Sequence, residues 1–382
     1  MTLMRALCIV LQLGNLEFME DPSSADSEEG GTVISTREDL QKLQDLMGVD
    51  GEELERSMTK RILKTGYDTV QVQISPSVAK ESCDALAKEI YSRIFDVLVK
   101  SINDYTKIQG DDFGTISLLD IFGFERFKIN RFEQLCINYA NEQLQFKYVL
   151  DNFRQVQEEY EAEGIEIFDF SLVDNSEVLT LLSGRLGILM SLNEECVRPK
   201  GNDESFVYKA KVVHQGNERF IDEKLHRKTE FGIRHFAGPV KYDATKFVER
   251  NTDKLPDDLI TSASTSSNSL VQDEFKGIIE KMKEEAAAVK PGQRRKKSSS
   301  LTVLQKFRAQ LKDLMDHMED TTTRYIRCIK PNDNMTPKLT DHTQTMRQLE
   351  CAGLVTAIAI SRESFPNKLP YQQILHHFRM LL

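Results

Sequence analysis

The sequence predicts an α/β protein that is mostly helical. Residues 115–119 are apolar enough for a buried strand, and residues 69–74 alternate apolar and polar side chains as a strand or hairpin arm does. From Asn130 onward, apolar residues recur in steps of three and four, which indicates one face of a long helix. At 382 residues the chain is also long for one core, so we expect two or more subdomains.

The first hundred residues predict several shorter elements. Residues 1–13 are interpreted as the tail of a buried helix rather than a signal peptide, because no cleavage-site pattern follows them. Residues 36–64 carry short helical patterns, and residues 78–108 predict a helix with Ile90 and Ile94 on one face.

The predicted long helix begins near Asn130 and stops at Gly164. Asn130 with Glu133 suggests a capping box, and a glycine is a common helix end. At 1.5 Å per residue, such a helix would be roughly 50 Å long. Its apolar face contains Leu135, Tyr139, Phe146, Val149, Phe153, Val156 and Tyr160. A core helix that merely packs would explain the same periodicity.

The second half of the chain predicts more helices and one linker. Residues 177–195 predict two helices separated by a turn at Ser183 and Gly184, and a further helix begins at Val303. Residues 283–300 have the composition of a solvated linker, ending in Arg294, Arg295, Lys296, Lys297 and three serines.

Residues 120–125, with the sequence DIFGFE, combine an acid at the end of the predicted strand with a glycine three residues later. The carboxylate of Asp120 is a suitable ligand for water or Mg²⁺, and the absence of a Cβ at Gly123 lets a backbone N–H approach a phosphate oxygen. Many ordinary strands also end in Asp and turn at Gly, so this pattern alone leaves both interpretations open.

Composition excludes some classes of protein. The net charge of −10 argues against a general nucleic-acid binder. The six cysteines show no metal-binding spacing, which favours reduced thiols in the cytosol. No apolar run reaches the length of a membrane span.

Six motifs in order along the chain, one of them in two segments, resemble the myosin motor head. DIFGFE at 120–125 resembles switch II, and EQLCINYANE at 133–142 with EEYEAEGIE at 158–166 resembles the relay helix and relay loop. The other matches are LGNLEF at 13–18, LAKEIYSRIF at 86–95, YIRCIKPN at 325–332 and QLECAG at 348–353. The resemblance implies a partial P-loop NTPase-type head with a remnant of the central sheet, truncated before the phosphate-binding loop and switch I.

The resemblance also implies a domain organisation. Residues 1–114 correspond to part of the upper actin-cleft subdomain, and 115–283 to switch II, the relay helix and the lower actin-cleft subdomain. Residues 284–300 correspond to a flexible basic loop joining the two halves of the cleft. Residues 301–346 would contain a helix and a core-sheet strand, 347–366 the thiol-helix region, and 367–382 the start of the converter.

Residue roles carry over from the matched motifs. Asp120 would lie near Mg²⁺ through a water molecule, the Gly123 N–H would bond the γ-phosphate of ATP, and Glu125 would help position the lytic water. Mechanical coupling to the converter would pass through four residues: Phe153, Ile167, Cys351 and Gly353.

Actin filaments are the implied partner. Leu186, Ile188 and Leu189 match the helix–loop–helix at the tip of the lower cleft, although a packed helical hairpin would need the same apolar residues. The basic run Arg294, Arg295, Lys296 and Lys297 matches the cleft-joining loop and would attract acidic actin, although such runs are commonly solvated linkers or nuclear-import-like patches. The implied location is cytoplasmic, at the cytoskeleton, and light chains are not expected because no light-chain-binding repeat is recognised.

One departure from the family pattern bears on activity. None of the 19 glycines is followed by lysine, so the phosphate-binding motif G-x-x-x-x-G-K-[ST] is missing. We therefore expect this chain alone to bind ATP weakly and not to hydrolyse it. Three hypotheses stay open: part of an ATP-driven motor, a non-catalytic actin-binding fragment, and a fragment that does not fold alone.

Overall fold

The computed structural model describes residues 2–22, 31–65, 68–107, 114–164, 175–223, 225–252, 255–287, 301–354, 358 and 369–381. Helices predominate in this part of the chain. In order they are α1 Thr2–Gly14, α2 Arg37–Met47, α3 Gly51–Thr59, α4 Pro76–Thr106, α5 Phe132–Ala162, α6 Ser176–Ser183, α7 Ile188–Val197, α8 Asp203–Val213, α9 Phe247–Thr252, α10 Asp257–Ser264, α11 Ser269–Ala287, α12 Val303–Glu319, α13 His342–Cys351 and α14 Tyr371–Phe378, which a 3-10 helix follows at Arg379–Leu381.

The strands form three small antiparallel sheets within the described residues. They are β1 Phe18–Glu20, β2 Thr32–Ile34, β3 Lys60–Thr65, β4 Asp68–Gln73, β5 Phe220–Ile221, β6 Glu230–His235 and β7 Gly238–Asp243. β1 pairs with β2, β3 with β4, and β5–β6–β7 make a three-stranded sheet. The prediction of a mostly helical protein that also contains strands is confirmed.

The first of two compact units contains residues 1–116 and 253–300. Its core lies between α1, α4, α10 and α11, with Ile9, Leu86, Leu259 and Phe275 among the buried side chains. The predicted apolar helix at residues 1–13 is confirmed, since α1 turns one side into this core. The predicted arm at 69–74 is confirmed as β4 of the β3–β4 hairpin.

The second unit contains residues 117–252 and 301–382. Its core is built from α5 to α9, α12 and the three-stranded sheet, with Leu135, Leu182 and Phe231 buried within it. In the β6–β7 hairpin, Phe231 lies opposite Tyr242, so two large rings face the same core. The sequence grouped residues 253–283 with this unit, whereas α10 and α11 pack in the first one. The assignment of either unit to a part of an actin cleft stays a prediction.

Helix α5 is the long helix that the periodicity predicts. It has 31 residues and ends where Gly164 adopts a φ of +67°, a conformation that favours glycine. The predicted capping pair of Asn130 and Glu133 is wrong by one residue. The side chain of Gln134 accepts a hydrogen bond of 2.9 Å from the Arg131 N–H, while Asn130 caps the preceding turn at Phe127.

Two predicted strands are not formed within the described residues. Residues 115–119 lie in an exposed segment, where the side chains of Ile116 and Leu118 are 93% and 92% exposed. Residues 325–330, within the range 301–346 for which the resemblance implies a core-sheet strand, likewise form no strand. A strand needs a hydrogen-bonded neighbour, and none faces either segment in the described part of the chain. The predicted remnant of a central sheet is therefore wrong for these residues.

Among the described residues, no helix is both long enough and apolar enough to cross a membrane.

Candidate functional site

Residues 120–125 lie on the surface of the second unit, outside the described strands. Asp120 and Gly123 are exposed, and Phe124 and Glu125 are half-buried. The sequence placed these residues at the end of a buried strand, so that position is wrong. The side chains that hydrogen-bond to the segment come from a helix rather than a sheet.

Amide side chains of α5 hold the segment. Asn138 pairs with both backbone groups of Glu125, accepting from its N–H at 2.8 Å and donating to its carbonyl oxygen at 2.8 Å. Asn141 donates to the carbonyl oxygen of Phe122 at 3.0 Å, and Gln134 donates to the Glu125 carboxylate at 3.2 Å. The segment and the start of α5 therefore form one hydrogen-bonded structure.

The roles of these three amides were not predicted from the sequence. Gln134, Asn138 and Asn141 are spaced by four and three residues, so they share one face of the helix. Only the apolar residues of α5 were used to predict its packing. The same count applied to Asn and Gln would have found a polar face suited to bind backbone groups.

The chemistry available at the segment is limited. A Cβ added at Gly123 would meet no heavy atom within 4 Å, so its backbone is open to approach. Among the described residues, no group of three His, Cys, Asp or Glu side chains could hold a metal ion. Mg²⁺ requires six oxygen ligands in near-octahedral geometry. Asp120 and its described neighbours therefore do not fit a magnesium site by themselves.

The helix–turn–helix of α6 and α7 separates the three residues predicted to contact actin. Leu186 in the turn is 66% exposed, whereas Ile188 and Leu189 are 0% exposed and belong to the core. The prediction that Ile188 and Leu189 form a contact surface is therefore wrong. The turn is tight, since a Cβ at Gly187 would lie 2.6 Å from the Leu182 carbonyl oxygen. This tightness turns the first residues of α7 inward.

The basic run Arg294, Arg295, Lys296 and Lys297 lies outside the described residues, and so does Ile167. Their predicted roles stay predictions.

The other predicted coupling residues lie along or beside α5. Phe153 is half-buried on that helix, and Cys351, at the end of α13, is half-buried with a pKa raised by burial. Gly353 has a φ of +69°, and Gln145 of α5 donates to its carbonyl oxygen at 3.5 Å. A Cβ at Gly353 would lie 2.1 Å from the Gln145 Oε1, so only glycine fits this contact without movement.

The extended segment 325–330 is also attached to α5. The Tyr325 hydroxyl donates to Asp151 at 2.6 Å, and the Arg327 guanidinium lies 4.9 Å from the centre of the Tyr148 ring. Gln348 of α13 then exchanges two hydrogen bonds with the backbone of Lys330, at 2.8 and 2.7 Å. One helix thus contacts residues 122–125 near its start and residues 325–353 along its middle.

Comparison with known proteins assigns the family. The model of the family described as "Myosin head (motor domain)" matches residues 1–382. The chain is similar to Myosin-17 of Arabidopsis thaliana (34% identical over 381 residues, 99% of this chain) and to Myosin-2 of the same plant (36% over 378 residues, 98%). It is also similar to unconventional myosin-Va of Gallus gallus, at 35% identity over 400 aligned residues and 100% of this chain.

These alignments cover only part of each relative. The chain spans 24% of the length of Myosin-17, 30% of Myosin-2 and 22% of the avian myosin-Va. The match of the family over the entire sequence agrees with the resemblance of the six ordered motifs. The chain belongs to the myosin head (motor domain) family.

Proposed function

We propose that this chain forms part of an actin-based, ATP-driven motor, in which α5 couples residues 120–125 to residues 325–353. The observation that carries the proposal is the pair of attachments on one helix. Asn138 binds the backbone of Glu125, and Gln145, two turns further along α5, contacts Gly353. A displacement of the first segment would therefore move the helix, and the helix would move the second.

The nucleotide would be contacted by residues 120–125. The open backbone of Gly123 suits a hydrogen bond to a terminal phosphate, because no side chain blocks it. Asp120 would act on Mg²⁺ through water and Glu125 on the attacking water, in a site completed by groups beyond those described. Since the phosphate-binding motif is missing, we expect the isolated 382-residue chain to show no steady ATP turnover.

The filament would be bound by two separate features of this family member. Leu186 presents an apolar side chain on a tight turn, and the basic run at 294–297 would attract an acidic surface. A protein with this partner would work at the cytoskeleton.

A second candidate function is actin binding without catalysis. It is favoured by the exposed position of Asp120, which has no set of metal-ligating neighbours in the described part of the chain. Both functions share the filament surface and differ only in whether the nucleotide changes the affinity.

The experiment is cosedimentation of the 382-residue chain with actin filaments, with and without Mg²⁺ and ATP. Leu186→Ala should weaken binding, whereas Leu225→Ala should not. Leu225 is a matched control because it is a leucine of the same unit that is 93% exposed and is not part of the turn between α6 and α7. Replacing all four basic residues of the run with glutamine should weaken binding and reduce its dependence on salt.

The nucleotide separates the two functions. Because we expect this chain alone to bind ATP weakly, ATP is added at saturating concentration. Release of the chain from filaments under that condition supports the motor, and binding that ignores saturating ATP supports the non-catalytic alternative. No sedimentation with filaments, or equal loss of binding for Leu186→Ala and Leu225→Ala, would contradict the proposed filament surface.

A further inference from the structure

A buried chain of polar side chains lies directly beneath residues 122–125 in the second unit. It consists of Asn138 and Glu142 on α5, His235 at the end of β6, and Tyr242 on β7. Each of the four residues is at most 2% exposed. The functions proposed above assign no role to Glu142, His235 or Tyr242.

The four side chains are joined end to end by hydrogen bonds. Asn138 Nδ2 lies 2.9 Å from the Tyr242 hydroxyl, which lies 2.8 Å from His235 Nε2. His235 Nδ1 lies 2.8 Å from Glu142 Oε1. The same carboxylate oxygen accepts from the Phe236 N–H at 3.1 Å. One end of the chain is therefore a carboxylate held in place by the backbone.

The chemistry of the groups assigns a direction to these bonds. Asn138 Oδ1 accepts from the Glu125 N–H, so Nδ2, which only donates, faces Tyr242. Burial raises the pKa of the Tyr242 hydroxyl far above its usual value, so this group keeps its proton and donates it to His235 Nε2. His235 then carries its proton on Nδ1 and donates to Glu142.

Residues 122–125 cover this chain from the outside. The ring of Phe124 meets the rings of His235 and Phe236 edge to face, at centroid distances of 5.2 and 5.3 Å. If the Asn138 amide were turned over, its NH₂ group would face the Glu125 N–H, and two donors would oppose each other. The orientation of one amide therefore decides whether the backbone of Glu125 is bound.

We propose that Tyr242 and His235 are positioning residues: they hold the Asn138 amide in the orientation that binds the backbone of Glu125, and so determine how firmly residues 122–125 dock on α5. This role concerns the docking itself and holds whether or not the chain hydrolyses ATP or binds actin. Its failure is therefore distinguishable from failure of the proposed function.

The first test is amide hydrogen exchange of the 382-residue chain, resolved at single residues. Tyr242→Phe keeps the ring and removes the hydroxyl. The exchange rate of the Glu125 amide should rise roughly tenfold, the factor that about 1.4 kcal/mol represents. The Phe127 N–H, which donates a hydrogen bond of 2.8 Å to Asn130 Oδ1, should keep its exchange rate. The amides of the β6–β7 ladder should keep theirs as well. An equal rise at all these amides, or none at Glu125, would overturn the proposal.

Asn138→Ala supplies a second variant that distinguishes positioning from general stability. If Tyr242 acts through Asn138, adding Tyr242→Phe to Asn138→Ala should cause little further increase at the Glu125 amide. Additive effects of the two changes would contradict the proposed route.

A third measurement uses the chain without any substitution. Nitrogen NMR of labelled His235 should show a proton on Nδ1 and none on Nε2. A proton on Nε2 instead would reverse the bond to Tyr242 and overturn the assigned direction.

Discussion

Leu189 and Leu186 are three residues apart, yet the structure assigns them opposite roles. Leu189 is 0% exposed in the core of the second unit, whereas Leu186 is 66% exposed in the turn before α7. Truncating a fully buried leucine to alanine costs about 2–5 kcal/mol, because the lost side chain leaves a cavity that the surroundings fill only partly. Truncating an exposed leucine usually changes stability by less than about 0.5 kcal/mol.

The assay is unfolding by heat and by urea, applied to Leu189→Ala and Leu186→Ala in the 382-residue chain. For a unit of roughly 200 residues, 1 kcal/mol shifts Tm by about 2–4 °C. Leu189→Ala should therefore lower Tm by about 4–20 °C, and Leu186→Ala should leave it nearly unchanged. Because Leu189 is inside the core, its variant should also bind filaments normally below its own Tm.

Two results would refute this reasoning. If both variants lost the same free energy of unfolding, Leu189 would not be buried while Leu186 is exposed. If Leu189→Ala unfolded like the unchanged chain but bound filaments weakly, Leu189 would be a contact residue, as the sequence suggested.

Three further outcomes follow from the second unit. Gly353→Ala should lower the free energy of unfolding by about 1–3 kcal/mol, because alanine is strained at a φ of +69°. Adding Gln145→Ala should restore part of this loss, because it removes the steric contact with the new Cβ. Full restoration would show that the backbone is not strained. Iodoacetamide at pH 8 should modify exposed Cys328 and spare Cys136, because burial raises the pKa of the Cys136 thiol to about 12 and leaves little thiolate at pH 8. Labelling is measured by mass spectrometry, and equal labelling of the two cysteines would contradict the burial of Cys136. Thr302→Val should lower the free energy of unfolding in urea by about 1–2 kcal/mol, because it removes the hydroxyl that caps α12. Thr302→Ser keeps the hydroxyl and should retain most of the stability. Equal losses of stability in the two variants would exclude the cap as the cause.

Local sequence patterns predicted most of the helices. The period of apolar residues predicted the position of α5, and Gly164 predicted where the helix ends. Both features depend only on residues close together in the chain. The turn between α6 and α7 follows the same logic. The start of α5 was misplaced by one residue because Asn130 binds the backbone of Phe127 and Lys241 instead of capping α5. The bond to Lys241 crosses 111 residues of sequence.

The candidate site was predicted less completely. The role of the motif at 120–125 stays a prediction, and the strand predicted before it was wrong, because strand formation depends on a partner that local sequence does not reveal. The sequence also left open whether Ile188 and Leu189 face a partner or pack in a helical hairpin, and the structure places them in the core. Periodicity identifies an apolar face of a helix without saying whether that face meets a core or a partner.

By itself, the amino-acid sequence determined the helical character of this protein, several element boundaries and its resemblance to a motor head, since these reside in short ordered stretches of residues. Only the tertiary structure decided which leucine is accessible, that Asn138 binds the backbone of Glu125, and that His235 and Tyr242 lie beneath that contact. The physical reason is distance: the contacts of Asn138 with Glu125 and with Tyr242 join residues 13 and 104 positions apart, and their partners are chosen by packing in three dimensions.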